Sequence, residues 1–336
     1  MPAPRRPELA AEGDAPVLVV LRDLGLGDFL TGIPALRALA RGFPRHARVL
    51  VAPRALAPLV ELSGTGFALA SDPPPGADVA VNLHGRGPQT HARLRAAAPV
   101  RLIAFACGDH PGPVWHPHEH EVVRWCRLLE ESGIPADPSD LRLELDAPHH
   151  GATIVHPGAA SPARRWPAER WAAVVRAEVA AGRRVIVTGG PEERALAEAV
   201  AAATTADVRA GATDLAELAA LVAGAGRVLC GDTGVAHLAT AFSIPSVVLF
   251  GPTPPAEWGP PPHHPRHRAL WAGHHGDPHA PEPDPGLLAI TVDAVLTELK
   301  GTVPAGAGGD KGDSPREGVE PRRGAESGAW GRVRRR

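Results

Sequence analysis

Lysine is nearly missing from this 336-residue chain, which carries only Lys300 and Lys311, so its positive charge is almost all arginine. With 37 Gly, 38 Pro and abundant Ala, that bias reflects a high-GC coding sequence rather than a mechanism. An excess of either charge is also missing. The 35 Lys plus Arg and 37 Asp plus Glu leave a net charge of −2, and nothing argues for a nucleic-acid surface. Cysteine is limited to Cys107, Cys126 and Cys230 with no CxxC, which argues against a disulfide framework or a zinc site and fits a reducing cytosol. No apolar run approaches the ~20 residues that a membrane span needs. The first residues, MPAPRRPELAAEGDAP, lack the apolar core of a signal peptide. The expected location is the cytoplasm, with peripheral contact at the inner face of a membrane left open.

What the chain does have is a repeated rhythm of short apolar runs, Gly-rich turns and helical spacing, over a length that suits two α/β domains. The richest stretch, residues 227–259, reads RVLCGDTGVAHLATAFSIPSVVLFGPTPPAEWG. An apolar run breaks into Gly231-Asp232-Thr233-Gly234, a helix-like segment follows, and a second apolar run ends in Gly251-Pro252-Thr253. That is the layout of a βαβ unit. Asp232 and Thr233 are both N-cap types, and the amides behind them would form a helix terminus suited to a diphosphate. Asp232 as a mere cap and His237 as a structural histidine are the plain alternatives. Their joint occurrence in one turn favours a functional site.

An earlier strand, residues 17–21, leads into Arg22-Asp23-Leu24-Gly25-Leu26-Gly27-Asp28, and Phe29, Leu30, Ile33, Leu36 and Leu39 then fall at helical spacing. The loop therefore lies at the ligand-binding edge of an open sheet. A dinucleotide site is disfavoured, because Leu30 stands where the third Gly of G-x-G-x-x-G belongs and no acid follows the next strand. Asp28 is either a favourable helix-start charge or a general base. His84-Gly85-Arg86-Gly87 forms another polar loop at a strand end, which is either a pocket lining or a turn. The histidines at 110, 116, 118 and 120, and those at 274, 275 and 279, lack a tidy ligand pattern, so no metal is expected. Residues 134–151 read as a linker. Beyond it, a strand ends in His156-Pro157-Gly158, and Arg164-Arg165-Trp166-Pro167 places two guanidiniums before a helix, as a solvated face or as a phosphate clamp. Gly189-Gly190-Pro191 then precedes Glu192 and Glu193, which either favour a helix start or accept from ribose hydroxyls. The boundaries drawn are a flexible arm at 1–15, a first domain at 16–147, a second at 148–301 and a disordered tail at 302–336.

Arg22 with Gly27-Asp28, Val155-His156-Pro157-Gly158, Arg164-Arg165-Trp166-Pro167, Gly189-Gly190-Pro191-Glu192-Glu193, Asp232-Thr233-Gly234 with His237, and Phe250-Gly251-Pro252-Thr253 together resemble glycosyltransferase family 9, the heptosyltransferase family. The match runs from about residue 17 to 300 in order and spacing. The resemblance implies a GT-B architecture, two Rossmann-like α/β domains facing a cleft. It also implies an inverting, metal-independent transfer from a nucleotide-sugar, ADP-sugar favoured, to a glycan or lipid-linked acceptor, without a cofactor. On that correspondence Asp28 is the base and Arg164 neutralises the leaving diphosphate. Arg165, Glu193, Asp232, Thr233, Gly234 and His237 hold the donor, and Arg22, His84 and Arg86 meet the acceptor. The chain has no Asp-x-Asp to hold a divalent cation, which leaves the diphosphate to arginines and helix-terminal amides. It departs from the family in having Arg164 where a lysine is usual and Gly25-Leu26 where small polar residues are usual. The competing readings are a non-catalytic sugar or nucleotide binder on the same frame and, further off, a Rossmann oxidoreductase.

Overall fold

The computed structural model describes residues 15–262 and 264–302; most of the expected arm, through residue 14, and all but the first residue of the expected tail lie outside the described residues. The first half runs β1 (Val17–Leu21), α1 (Leu26–Gly42), β2 (Ala47–Val51), α2 (Ala57–Leu62), β3 (Ala68–Ala70), β4 (Val79–Asn82), α3 (Gln89–Ala96), β5 (Arg101–Ile103) and α4 (Glu121–Glu131). The second runs β6 (Thr153–His156), α5 (Ala168–Ala180), β7 (Val185–Val187), α6 (Arg194–Ala201), β8 (Asp207–Val208), α7 (Leu215–Ala223), β9 (Arg227–Gly231), α8 (Gly234–Ala241), β10 (Ser246–Phe250), α9 (Pro255–Trp258), β11 (His267–Trp271), α10 (Pro285–Ala289) and α11 (Val292–Gly301).

Each half carries one parallel sheet, ordered β3-β2-β1-β4-β5 and β11-β10-β9-β6-β7-β8. The central strands are covered on both faces, which is why β4, β6, β9 and β10 read as unbroken buried runs. In each sheet the chain starts in the middle, builds outward, then returns to build the other way. The switch points lie between β1 and β4 and between β6 and β9. Such a reversal splays the loops at the strand C-termini apart and opens a crevice there. Asp28 and His84 follow β1 and β4, and Arg164 and Asp232 follow β6 and β9, so both switch points carry the residues of interest.

Several elements were hidden in the sequence. β3 and β8 are too short for periodicity, and β11 follows a Pro/His-rich loop that masks it. The linker has no regular element between α4 and β6, but it is not a free strap. Leu143 is buried, its amide donates to the Ala241 carbonyl, and Asp140 pairs with Arg37 of α1 at 2.7 Å.

The halves meet where two helix N-termini converge. A Cβ placed on Gly234 would lie 2.7 Å from Leu26 Cγ, and one on Gly27 would lie 3.0 Å from His237 Cδ2. The two glycines thus leave room for the Leu26 and His237 side chains where α1 and α8 approach. One apolar core runs through both sides of the seam, from Leu30 and Ile33 on α1 to Val235 and Leu238 on α8. A second contact forms at the start of α4, where the His120 ring bonds the Gly259 carbonyl at 2.9 Å and His118 lies 2.8 Å from Glu257.

Candidate functional site

The first-half side of the site is built on the turn from β1 into α1. Asp28 occupies the first turn of α1, where the helix dipole favours a carboxylate. Burial pushes its carboxyl above the usual range, against the pull of the Arg22 guanidinium and with a further rise from the Glu121 charge. A half-buried carboxylate raised in this way is a better proton acceptor than a solvated one. His84 takes a hydrogen bond on Nδ1 from the Asp23 amide at 3.1 Å, and burial lowers its pKa, so the ring is neutral at pH 7. Arg86, on the loop after β4, is exposed.

Arg22 corrects the expectation that it touches the acceptor. Its side chain is 0% exposed, and Nη1 and Nη2 donate to the Leu83 carbonyl and to Thr31 Oγ1. A guanidinium spent on internal acceptors has no face left for a substrate. Its partner Glu121, 3.2 Å away on α4, was not singled out in the sequence. The available signal was that Glu121 falls four residues before Trp125 and seven before Leu128, on the apolar face of α4.

The second-half side combines the ends of β6, β7 and β9. Arg164 donates through Nη1 to the Asp232 carbonyl at 3.3 Å and lies 4.0 Å from its carboxylate, while its buried Nε has no protein partner. Burial pushes Asp232 up to about 6; Arg164 opposes that rise and the like charge of Asp28 adds to it. Asp28 and Asp232 thus influence each other across the gap between the halves. Thr233 is the N-cap of α8, and no side chain caps that helix. Its terminal amides therefore face the same turn as Arg164 and offer an anion site. His237, next to Gly27 and 6.1 Å from the Trp258 ring, is driven down to about 4 mainly by burial, with further lowering from His120 and the Arg22 guanidinium nearby, so it is a neutral imidazole at pH 7.

Beside this turn lies an open cleft of about 790 Å³ lined by Ala159, Ala160, Arg165, Gly190, Glu193 and Leu196, among others. Arg165 is tethered through Nε to the Ala159 carbonyl at 2.8 Å, and its guanidinium borders the cleft. Glu193 sits in a short 3-10 turn ahead of α6 rather than leading the helix, and its Oε2 accepts from the Gly190 amide at 2.8 Å. Its other oxygen lies over Gly158, where a Cβ would come within 2.0 Å of it. Gly158→Ala should therefore swing the Glu193 carboxylate away. That movement is cheap for the fold, because a flexible side chain gives way, but it removes a hydrogen-bond acceptor from the cleft. The expected result is about tenfold weaker nucleotide binding by calorimetry with the melting temperature nearly unchanged.

The structure gathers Asp28, Arg164, Asp232, Thr233, Gly234 and His237 around the seam, places Arg165 and Glu193 at the adjoining cleft, brings His84 within range of Asp28, and leaves Arg86 exposed on the loop after β4. No group of three or more His, Cys, Asp or Glu suited to a metal occurs among the described residues. None of the described helices is long and apolar enough to cross a membrane.

The model of glycosyltransferase family 9 (heptosyltransferase) matches residues 114–284. Lipopolysaccharide heptosyltransferase 2 of Salmonella typhimurium is 30% identical over 172 residues, 48% of either chain. The match thus spans about half the length of this curated relative. Among solved structures, the family 9 glycosyl transferase of Veillonella parvula superposes with a TM-score of 0.68 at 19% identity, covering 86% of this chain and 97% of that one. The E. coli ADP-heptose lps heptosyltransferase II gives 0.66 at 20%, covering 84% and 97%. At these identities the likeness establishes the fold, the two-sheet GT-B architecture.

Proposed function

The chain belongs to glycosyltransferase family 9, and from that premise we propose that it moves a sugar from a nucleotide-sugar donor to a glycan or lipid-linked acceptor with inversion. The observation that carries the proposal is the opposition across one gap of a raised carboxylate, Asp28, and an arginine-plus-helix-terminus anion site, Arg164 with the Thr233 turn.

In the proposed reaction the acceptor hydroxyl loses its proton to Asp28 as its oxygen attacks the anomeric carbon. The bond from that carbon to the diphosphate oxygen breaks through an oxocarbenium-like state, as in glycoside chemistry. The departing nucleoside diphosphate carries the negative charge into the second half. There Arg164 and the α8 terminal amides meet it, supplying electrostatic stabilisation where charge develops. Attack from the face opposite the leaving group inverts the anomeric centre. Glu193 and Arg165 suit the ribose and the outer part of the nucleotide, since both border the adjoining cleft. The neutral ring of His237 suits hydrogen bonding to sugar hydroxyls. His84 and Arg86, on the loop after β4, are assigned to the acceptor. Because cationic side chains and amides serve the diphosphate, transfer should need no divalent cation. A lipid-linked acceptor would bring the enzyme to the cytoplasmic membrane face.

A thermal-shift screen against ADP-, GDP-, UDP- and dTDP-sugars should raise the melting temperature most with an ADP-sugar, because a ligand bound only by the native state stabilises it. Product formation with the selected donor should be unchanged in excess EDTA. No shift with any nucleotide-sugar would overturn the donor assignment, and loss of transfer in chelator would overturn metal independence.

A further inference from the structure

Arg22 is among the largest fully buried side chains, and the proposed reaction gives it no contact with substrate. Its guanidinium nevertheless converges on the base. Nε donates to the main-chain carbonyl of Asp28. Nη2 donates to Thr31 Oγ1 at 2.9 Å, and that hydroxyl donates to the same Asp28 carbonyl at 2.9 Å. Nη1 reaches the Leu83 carbonyl at the end of β4, so one side chain ties together both strand ends of the first switch point. The Trp125 ring lies beneath it, 5.0 Å from the guanidinium carbon. Gly32 leaves it room, since a Cβ there would sit 2.7 Å from Nε.

Glu121 holds this guanidinium from α4 at 3.2 Å and also accepts from Trp125 Nε1 at 2.7 Å and from Arg124. The preceding residue, His120, bonds Gly259 of the second half. The pair therefore refers residue 28 both to the first sheet and to the element that contacts the other half. Buried ion pairs are often replaceable by apolar residues without loss of stability. A pair whose fork ends on the backbone of the reacting residue supplies orientation instead.

We propose that Arg22 and Glu121 are a positioning pair for Asp28, Arg22 fixing the main chain of residue 28 and Glu121 fixing Arg22. This rests on the transferase reading, in which Asp28 is the base. The charged and titratable groups facing Asp28 are Arg22 from the end of β1, Glu121 from α4, Asp232 from the β9–α8 turn and His84 from the loop after β4. Of these, Arg22 and Glu121 act in opposite directions, which gives the pair a distinctive signature.

The test follows the Asp28 carboxyl directly in full-length protein labelled with 13C-aspartate, the reporter resonance being the one lost in Asp28→Asn. Glu121→Gln should move its titration midpoint to lower pH and Arg22→Met to higher pH, each by about half a pH unit or more. Arg22→Lys keeps the charge and should leave the midpoint in place. It loses the fork, so kcat should fall about 10²-fold while the donor KM stays within about twofold. If Arg22→Met does not fold, Glu121→Gln and Arg22→Lys carry the test. Midpoints unmoved in Glu121→Gln, or full kcat in Arg22→Lys, would overturn the proposal. The wild-type chain assayed alongside separates this outcome from failure of the transferase reading, which would show as no transfer by the wild type.

Discussion

Asp28→Asn is expected to lower kcat by about 10² or more while leaving nucleoside diphosphate affinity within about twofold. The amide keeps the size and shape of the side chain and the backbone contacts of α1, but it cannot take a proton. The nucleotide is assigned to the second half, so at pH 7 to 8, where Asp232 is ionised with or without Asp28, its binding should not register the change. A second effect accompanies the first. Asp232, now raised to about 6 in part by the charge of Asp28, should titrate at lower pH once that charge is gone. Below pH 6 the variant should therefore keep Asp232 ionised where the wild type protonates it. Steady-state kinetics, calorimetry with the nucleoside diphosphate and a carboxyl titration check the three parts. Turnover near the wild-type rate would remove Asp28 from the base role.

Arg164→Ala should weaken nucleoside diphosphate binding by about 10 to 10²-fold, as expected for loss of a charge-assisted hydrogen bond. It also strips Asp232 of the cation that opposes its rise, so Asp232 should titrate higher still in the variant. A protonated Asp232 would partly offset the lost attraction for the anion, and the deficit should therefore widen as pH rises from 6 to 8. Arg164→Lys separates charge from shape. It retains attraction but loses the contact to the Asp232 carbonyl that fixes the fork. Unaltered affinity of Arg164→Ala across that pH range would rule out the clamp.

The parts of this arrangement that follow from local pattern could be read from the chain. β1 and β10 have the limits that their apolar runs indicate, and α1 follows the spacing of Phe29, Ile33, Leu36 and Leu39. The turns after β6 and β9 announce themselves because Gly, Pro and polar residues interrupt otherwise buried strands. What depends on partners distant in sequence could not be read that way. Arg22 looks like an exposed loop cation until α4, some hundred residues on, supplies Glu121 and Trp125. Glu193 looks like the start of a helix until Gly158 is seen to vacate the space for its carboxylate. The short strands β3 and β8, and β11 behind its Pro/His-rich loop, are set by the sheet they join rather than by their own composition.

The seam between α1 and α8 has a consequence for how this protein could be re-engineered. At Gly27 and Gly234 an added Cβ would press on the His237 ring and the Leu26 side chain, so a larger residue at either position displaces a side chain of the opposite lobe. Changes at these two positions therefore act through the side chains that flank them, Leu26 and His237, and variation is more directly made at those side chains. The apolar side chains on either side of this close approach, Leu30 and Ile33 on α1 and Val235 and Leu238 on α8, interlock in one core, so changes at Leu26 or His237 would be felt by both lobes at once.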